Sequence, residues 1–123
     1  MSTAPDCVRV EIPAATINMA IARTVAAAMA ADVAAGGVPT IVVASLGSTG
    51  VTACDPLPEI IDIARRHGAW VHADAAMAGS AMLLPEYRHL FAGTEDADSI
   101  SWNPHKWMGT ILDTSLLYLR DPE

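Results

Sequence analysis

Lysine is almost missing from this chain. Among 123 residues only Lys106 carries a primary side-chain amine. With 7 Lys and Arg against 14 Asp and Glu the formal net charge is −7. That balance argues against nucleic acid and anionic membrane as partners, since both demand clustered basic residues. Cysteine is scarce as well. Cys7 and Cys54 stand far apart and form no CxxC pair, so two reduced thiols in a cytoplasmic protein are expected. The N-terminus lacks a basic segment followed by an apolar block, and no secretory signal is expected. Nor is there an uninterrupted apolar run of membrane-spanning character. The alanine-rich stretch from Ala14 to Ala35 is broken by Arg23 and Asp32 and reads as a buried helix. No repeat, low-complexity segment or linker divides the chain, whose length suits one domain with a modest core.

What is present alternates strand and helix. "CVRVEIPA" sets Val8, Val10 and Ile12 against charged neighbours, the pattern of a short, half-exposed strand. A helix follows over about 14–35, stopped by Gly36 and Gly37. "PTIVVASLG" is a β-branched and small apolar run ending in glycine, expected as a strand over 40–46 buried on both faces. In "DPLPEIIDIARRHG", Asp55 is placed to cap and Pro56 to open a helix, while Leu57, Ile60, Ile61 and Ala64 share one face. Arg65, Arg66 and His67 suit the negative end of its dipole, and Gly68 ends it. "AWVHADAA" reads as a second buried strand, giving a right-handed βαβ unit with parallel strands. A helical turn is expected around Glu86 to Phe91, then strands at 98–102 and 115–120. The fold class is α/β, a mostly parallel sheet flanked by helices.

In open α/β sheets ligands bind beyond the carboxyl ends of the strands. Three such ends carry polar residues: "GSTG" after the first parallel strand, Asp74 on the second, and Asn103, His105 and Lys106 after the third. An amine held beside a pocket and withdrawn from water becomes a nucleophile that forms Schiff bases with carbonyls. Pyridoxal phosphate requires such a lysine, together with a carboxylate facing its pyridine nitrogen. Asp74, at the end of an apolar strand, is placed for that task. Each residue also has an ordinary reading. Lys106 suits a snorkelling side chain or an ion pair, and Asp74 suits a cap on a turn. His72 and Asp74 lie on alternate residues of one strand with no third metal ligand apparent. "GSTGVT" lacks the lysine and length of a P-loop, and Trp102 and Trp107 suit packing.

In combination, "HADAAMAG", "NPHKW" and the upstream "ASLGSTGVTACDPL" resemble the group II pyridoxal-phosphate-dependent amino-acid decarboxylases. The stretch "GSAMLLPEYRHLFAGTEDADSISW" is similar to the aromatic-amino-acid branch, and the resemblance runs from about Val8 to the C-terminus. It implies part of the large domain of the type I pyridoxal-phosphate fold, with residues 1–123 as its second half. It further implies decarboxylation of an L-amino acid, expected to be aromatic, to the amine and carbon dioxide by a homodimer. Position by position, Lys106 matches the lysine that forms the Schiff base with the cofactor, and Asp74 matches the aspartate that pairs with the pyridine nitrogen. Ala76 matches the small residue against the ring, and Thr49 a threonine near the cofactor and substrate carboxylate. Asn103 and His105 match residues that contact the phosphate or orient the lysine. Met77 departs from the pattern, standing where the aromatic-substrate branch often has an aromatic residue. Two other readings stay open: a transaminase or carbon–sulfur lyase of related fold, and a noncatalytic remnant serving as an interaction module.

Overall fold

A computed structural model describes residues 14–121. The strand expected at Val8 to Ile12, and Cys7, lie outside the described residues. Four strands form one sheet in the order β1 (Ile41–Ser45), β2 (Trp70–Asp74), β3 (Ser99–Trp102), β4 (Leu116–Leu119). The first three run parallel and β4 is antiparallel to β3. Helix α1 (Ala14–Ala34) precedes β1 and α2 (Leu57–Arg66) crosses from β1 to β2. The short helix α3 (Pro104–Trp107) leads out of β3. Among the described residues no helix is long and apolar enough to cross a membrane.

Helix α2 carries the core. Its spacing turns Leu57, Ile60, Ile61, Ile63 and Ala64 inward, where they meet Ala44 and Leu46 at β1 and Val71, Ala73 and Ala75 at β2. Leu46, Leu57, Ile60 and Val71 are the largest fully buried side chains, each stabilising the fold by roughly 1.5–3 kcal/mol. Helix α1 packs against α2 and contributes Met29 to this cluster. Small residues on the strands let α2 approach the sheet closely. Gly68, at φ 67°, ends α2 as expected.

Several local expectations need correction. Asp55 does not cap α2; Pro56 holds that position without a side-chain bond. The Asp55 carboxylate instead accepts the Ser45 N–H (2.7 Å), and its own N–H donates to the Ser45 carbonyl (2.8 Å). It clips the start of α2 to the end of β1, a stronger use because the Ser45 N–H is half-buried and unpaired on that edge. Nor are β1 and β2 buried on both faces. Val71 and Ala73 point into the core, whereas Ile41, Val43, Trp70 and Asp74 stand on an open face. An apolar run shows that a strand can be covered, not which element covers it. The turn expected at 86–91 is part of a longer series of 3₁₀ segments, Gly79–Leu83, Pro85–Phe91 and Thr94–Asp96.

One turn fixes the geometry above β1. The Gly47 and Ser48 N–H groups both donate to the Ala53 carbonyl (3.0 Å each), and an antiparallel bridge joins Leu46 to Cys54. Gly47 has φ +85°, and a β-carbon there would lie 2.2 Å from the Ala78 Cβ. Only glycine permits this approach of the loop to the segment after β2. Gly47→Ala is therefore expected to cost roughly 2–5 kcal/mol in thermal or urea unfolding of the full-length protein. Gly50→Ala, where a β-carbon meets open space, is expected to stay within about 0.5 kcal/mol; equal effects would contradict this account of the turn.

Among the described residues β4 has no partner on its outer side and is exposed along its whole length, and the outer side of β1 is bonded only near its end, at Ser45 and Leu46. Unpaired edges flanked by apolar side chains such as Ile41, Val43 and Leu117 template further pairing. The 123-residue chain produced alone is expected to self-associate in sedimentation velocity, and a single sharp monomer boundary would refute that.

Candidate functional site

The register of the three parallel strands delivers their ends to one rim. Ser45 pairs with Asp74, and Asp74 with Ser101, so the loops leaving β1, β2 and β3 begin side by side. A cavity of about 140 Å³ lies there. Ser45, Gly47, Ser48 and Thr49 line it from β1 and its turn, Asp74, Ala76 and Met77 from β2 and its exit, and Lys106 from α3. Thus Thr49, Asp74, Ala76 and Lys106, four of the six candidate residues, share one polar cavity.

The supporting contacts show how each is placed. Asp74 Oδ1 accepts the Ala76 N–H (3.0 Å) and the Ser101 hydroxyl (3.2 Å). Ala75 N–H donates to the Ser101 carbonyl (3.1 Å), continuing the β2–β3 ladder past Asp74. Asn103 N–H donates to the Ala76 carbonyl (3.3 Å), and the Asn103 carbonyl accepts the Lys106 N–H (3.0 Å). The start of α3 is therefore tied to the β2 exit loop, and Lys106 follows one turn later. Pro104 supplies the preset φ for this first turn.

Asn103 and His105 do not line the cavity. Asn103 acts through its backbone, and its side chain makes no capping bond. The His105 ring is turned back to Thr114, with Nδ1 3.1 Å from the Thr114 nitrogen and 2.8 Å from its carbonyl oxygen. It braces α3 against the segment leading to β4. Lys106 itself is exposed, contrary to the expectation of an amine withdrawn from water. The cause is geometric: successive residues on a helix point about 100° apart, as 3.6 residues per turn requires, and Trp107 lines a different cavity. Trp102 is also directed away, donating from Nε1 to the Ser80 hydroxyl (2.9 Å).

That second cavity is larger, about 590 Å³, and predominantly apolar. It runs beside the first and shares Gly47 with it. Leu83, Leu84, Tyr87, Leu90, Trp107 and Met108 contribute most of its apolar wall. Cys54, a free thiol, also faces it, and burial pushes this thiol above its ordinary pKa. His72 is a structural residue: Nδ1 lies 2.8 Å from the Ser99 hydroxyl, which also accepts from Trp70 Nε1 (2.8 Å). Among the described residues no cluster of three metal-ligating side chains occurs.

Ser101 supports the site in a way that the linear pattern does not reveal. Ser48 lies within the conspicuous GSTG motif and Ser45 shortly before it, but Ser101 lies 27 positions from Asp74. Only the strand register brings it there.

The Pyridoxal-dependent decarboxylase conserved domain matches residues 6–123. Tryptophan decarboxylase 1 of Oryza sativa subsp. japonica is 54% identical over 94 residues, covering 76% of this chain and 18% of the relative. An aromatic-L-amino-acid decarboxylase of Drosophila lebanonensis is 45% identical over 111 residues, 90% of this chain and 28% of the relative. The crystal structure of Oryza sativa TDC with PLP and tryptamine superposes with a TM-score of 0.78 at 50% identity, over 80% of this chain and 21% of that one. Catharanthus roseus tryptophan decarboxylase in complex with L-tryptophan gives 0.79 at 44% identity, over 82% and 21%. The chain spans about a fifth of the length of most of these relatives. Domain match, identity and fold agree: the chain belongs to the pyridoxal-dependent decarboxylase family.

Proposed function

We propose that this chain supplies the lysine and the ring-nitrogen partner of a pyridoxal-phosphate enzyme that decarboxylates an L-amino acid, with an aromatic side chain as the preferred substrate class. The observation that carries this reading is that one amine, Lys106, and one carboxylate, Asp74, line a single polar cavity. The donor set fits the cofactor. Lys106 would hold its carbonyl covalently, Asp74 its ring nitrogen, and Ala76 leaves room for a flat ring face. Bound there, pyridoxal phosphate supplies an electron-accepting ring for the electron pair released when the substrate loses carbon dioxide.

The remaining work falls to side chains of this chain. Asp74 would face the ring nitrogen, where a carboxylate favours a proton on that nitrogen. Thr49 and Ser48, at the mouth of the β1 turn, offer hydroxyls to a substrate carboxylate or the cofactor. Asn103 begins the turn that carries Lys106, and His105 keeps α3 and hence Lys106 in place. The aromatic preference rests on the identity to tryptophan decarboxylases, with Met77 as an apolar lining residue.

Residues 1–123 are read as the second half of the cofactor domain. A cytoplasmic homodimer is the companion reading. The free Cys54 thiol supports a reducing compartment, and the apolar groove beside the catalytic cavity supports cover by a second subunit.

The test is product analysis on the full-length protein with aromatic L-amino acids. Equal amounts of amine and carbon dioxide are expected, whereas keto acid or sulfide as the main product, without carbon dioxide, would reject decarboxylation. Lys106→Ala is expected to lower kcat by at least about three orders of magnitude. Asp74→Asn is expected to lower it by roughly two to three; wild-type rates in either variant would exclude the assigned roles.

A further inference from the structure

The Asp74 carboxylate is held by one of its two oxygens. Oδ1 accepts both the Ala76 N–H (3.0 Å) and the Ser101 hydroxyl (3.2 Å), while no donor among the described residues bonds Oδ2. A carboxylate offers about four lone-pair sites in all, so two donors fill Oδ1 and leave those of Oδ2 open. The terminal torsion of aspartate is broad and roughly two-fold. Without fixed donors the carboxyl group would rotate and exchange its oxygens.

The two donors come from different elements. Ala76 N–H lies in the loop directly after β2 and closes a turn of the Asx kind. The Ser101 hydroxyl comes from the neighbouring strand, and Ser101 is itself held on both sides. Its Cα pairs with Asp74 on β2 and with Leu117 on β4, and its carbonyl accepts the Ala75 N–H (3.1 Å). The hydroxyl therefore projects from a backbone hydrogen-bonded to strands on either side.

We infer that Ser101 is a positioning residue for the cofactor: its hydroxyl holds Asp74 Oδ1 so that Oδ2 remains free to meet the pyridine nitrogen. The inference rests on the reading of Asp74 as the partner of that nitrogen. Ser101 touches neither the cofactor's reacting atoms nor the substrate, and it does not line the cavity. It acts through Asp74. Of the two donors it is also the one a substitution can remove, because the other is backbone.

The experiment compares wild type, Ser101→Ala, Ser101→Thr and Asp74→Asn in the full-length protein, with pyridoxal phosphate as the probe. Two readouts are taken: the cofactor dissociation constant, and the ¹⁵N chemical shift of the ring nitrogen in labelled cofactor. Ser101→Ala is expected to weaken binding about 2- to 12-fold, as loss of one exposed hydrogen bond of ordinary net strength implies. It should also move the ring shift toward that of a neutral pyridine. Ser101→Thr, which keeps the hydroxyl, should restore both. Thermal unfolding of the cofactor-free protein serves as the control, since a merely structural serine would lower that midpoint and leave the ring shift in place. If Asp74→Asn changes both readouts and Ser101→Ala neither, the role of Ser101 is overturned and the cofactor reading stands. If Asp74→Asn changes neither, both fall together.

Discussion

Parallel pairing of β1, β2 and β3 places Ser45, Asp74 and Ser101 at the same level of the sheet, and the chemistry at the rim depends on that register. Strands in such a ladder lie about 4.8 Å apart, so three exit loops start within reach of one small molecule. The first returns through the Gly47 turn, the second carries Asp74 into Ala76, and the third becomes α3 with Lys106. A slip of one residue would turn Asp74 into the core and Ala73 or Ala75 to the rim. The register is protected against this by α2, whose isoleucines pack on Ala44, Val71 and Ala73. An unpaired carboxylate at any of those positions would cost several kcal/mol.

The rim divides into two regions of opposite character. Around Asp74 and Lys106 the walls are hydroxyls, a carboxylate and an amine; on the other side of Gly47 they are leucines, a tyrosine and a tryptophan. This division follows from helical geometry at α3, where Lys106 and Trp107 are adjacent in sequence but serve different cavities. It also separates polar from apolar surface along the rim. Cover over Lys106 is what would raise the strength of electrostatic interactions in the polar region.

Family membership was legible in short motifs, because the amine, the acid and the glycine turn stand at the ends of successive strands. Helix α2 was legible for a simpler reason: its apolar residues repeat with helical period and its ends carry recognisable stop signals. Other features depend on partners the linear pattern does not name. Hydropathy gave β1 two apolar faces, but Ile41 and Val43 have no covering element among the described residues. Asp55 had the chemistry of a cap, yet the half-buried Ser45 N–H competes better for its carboxylate. Lys106 stood among aromatic neighbours in sequence, while the fold directs Trp102 to Ser80 and Trp107 to the groove. Ser101 could not be singled out at all, since its partnership with Asp74 exists only once β2 and β3 have paired.

The role of Lys106 as the covalent anchor of the cofactor has a direct chemical test. The folded protein is loaded with pyridoxal phosphate, reduced with borohydride, digested and mapped by mass spectrometry. A label concentrated on Lys106 and strongly diminished in Asp74→Ala is expected. A label no greater at Lys106 than in the unfolded chain, or one indifferent to Asp74, would contradict that role.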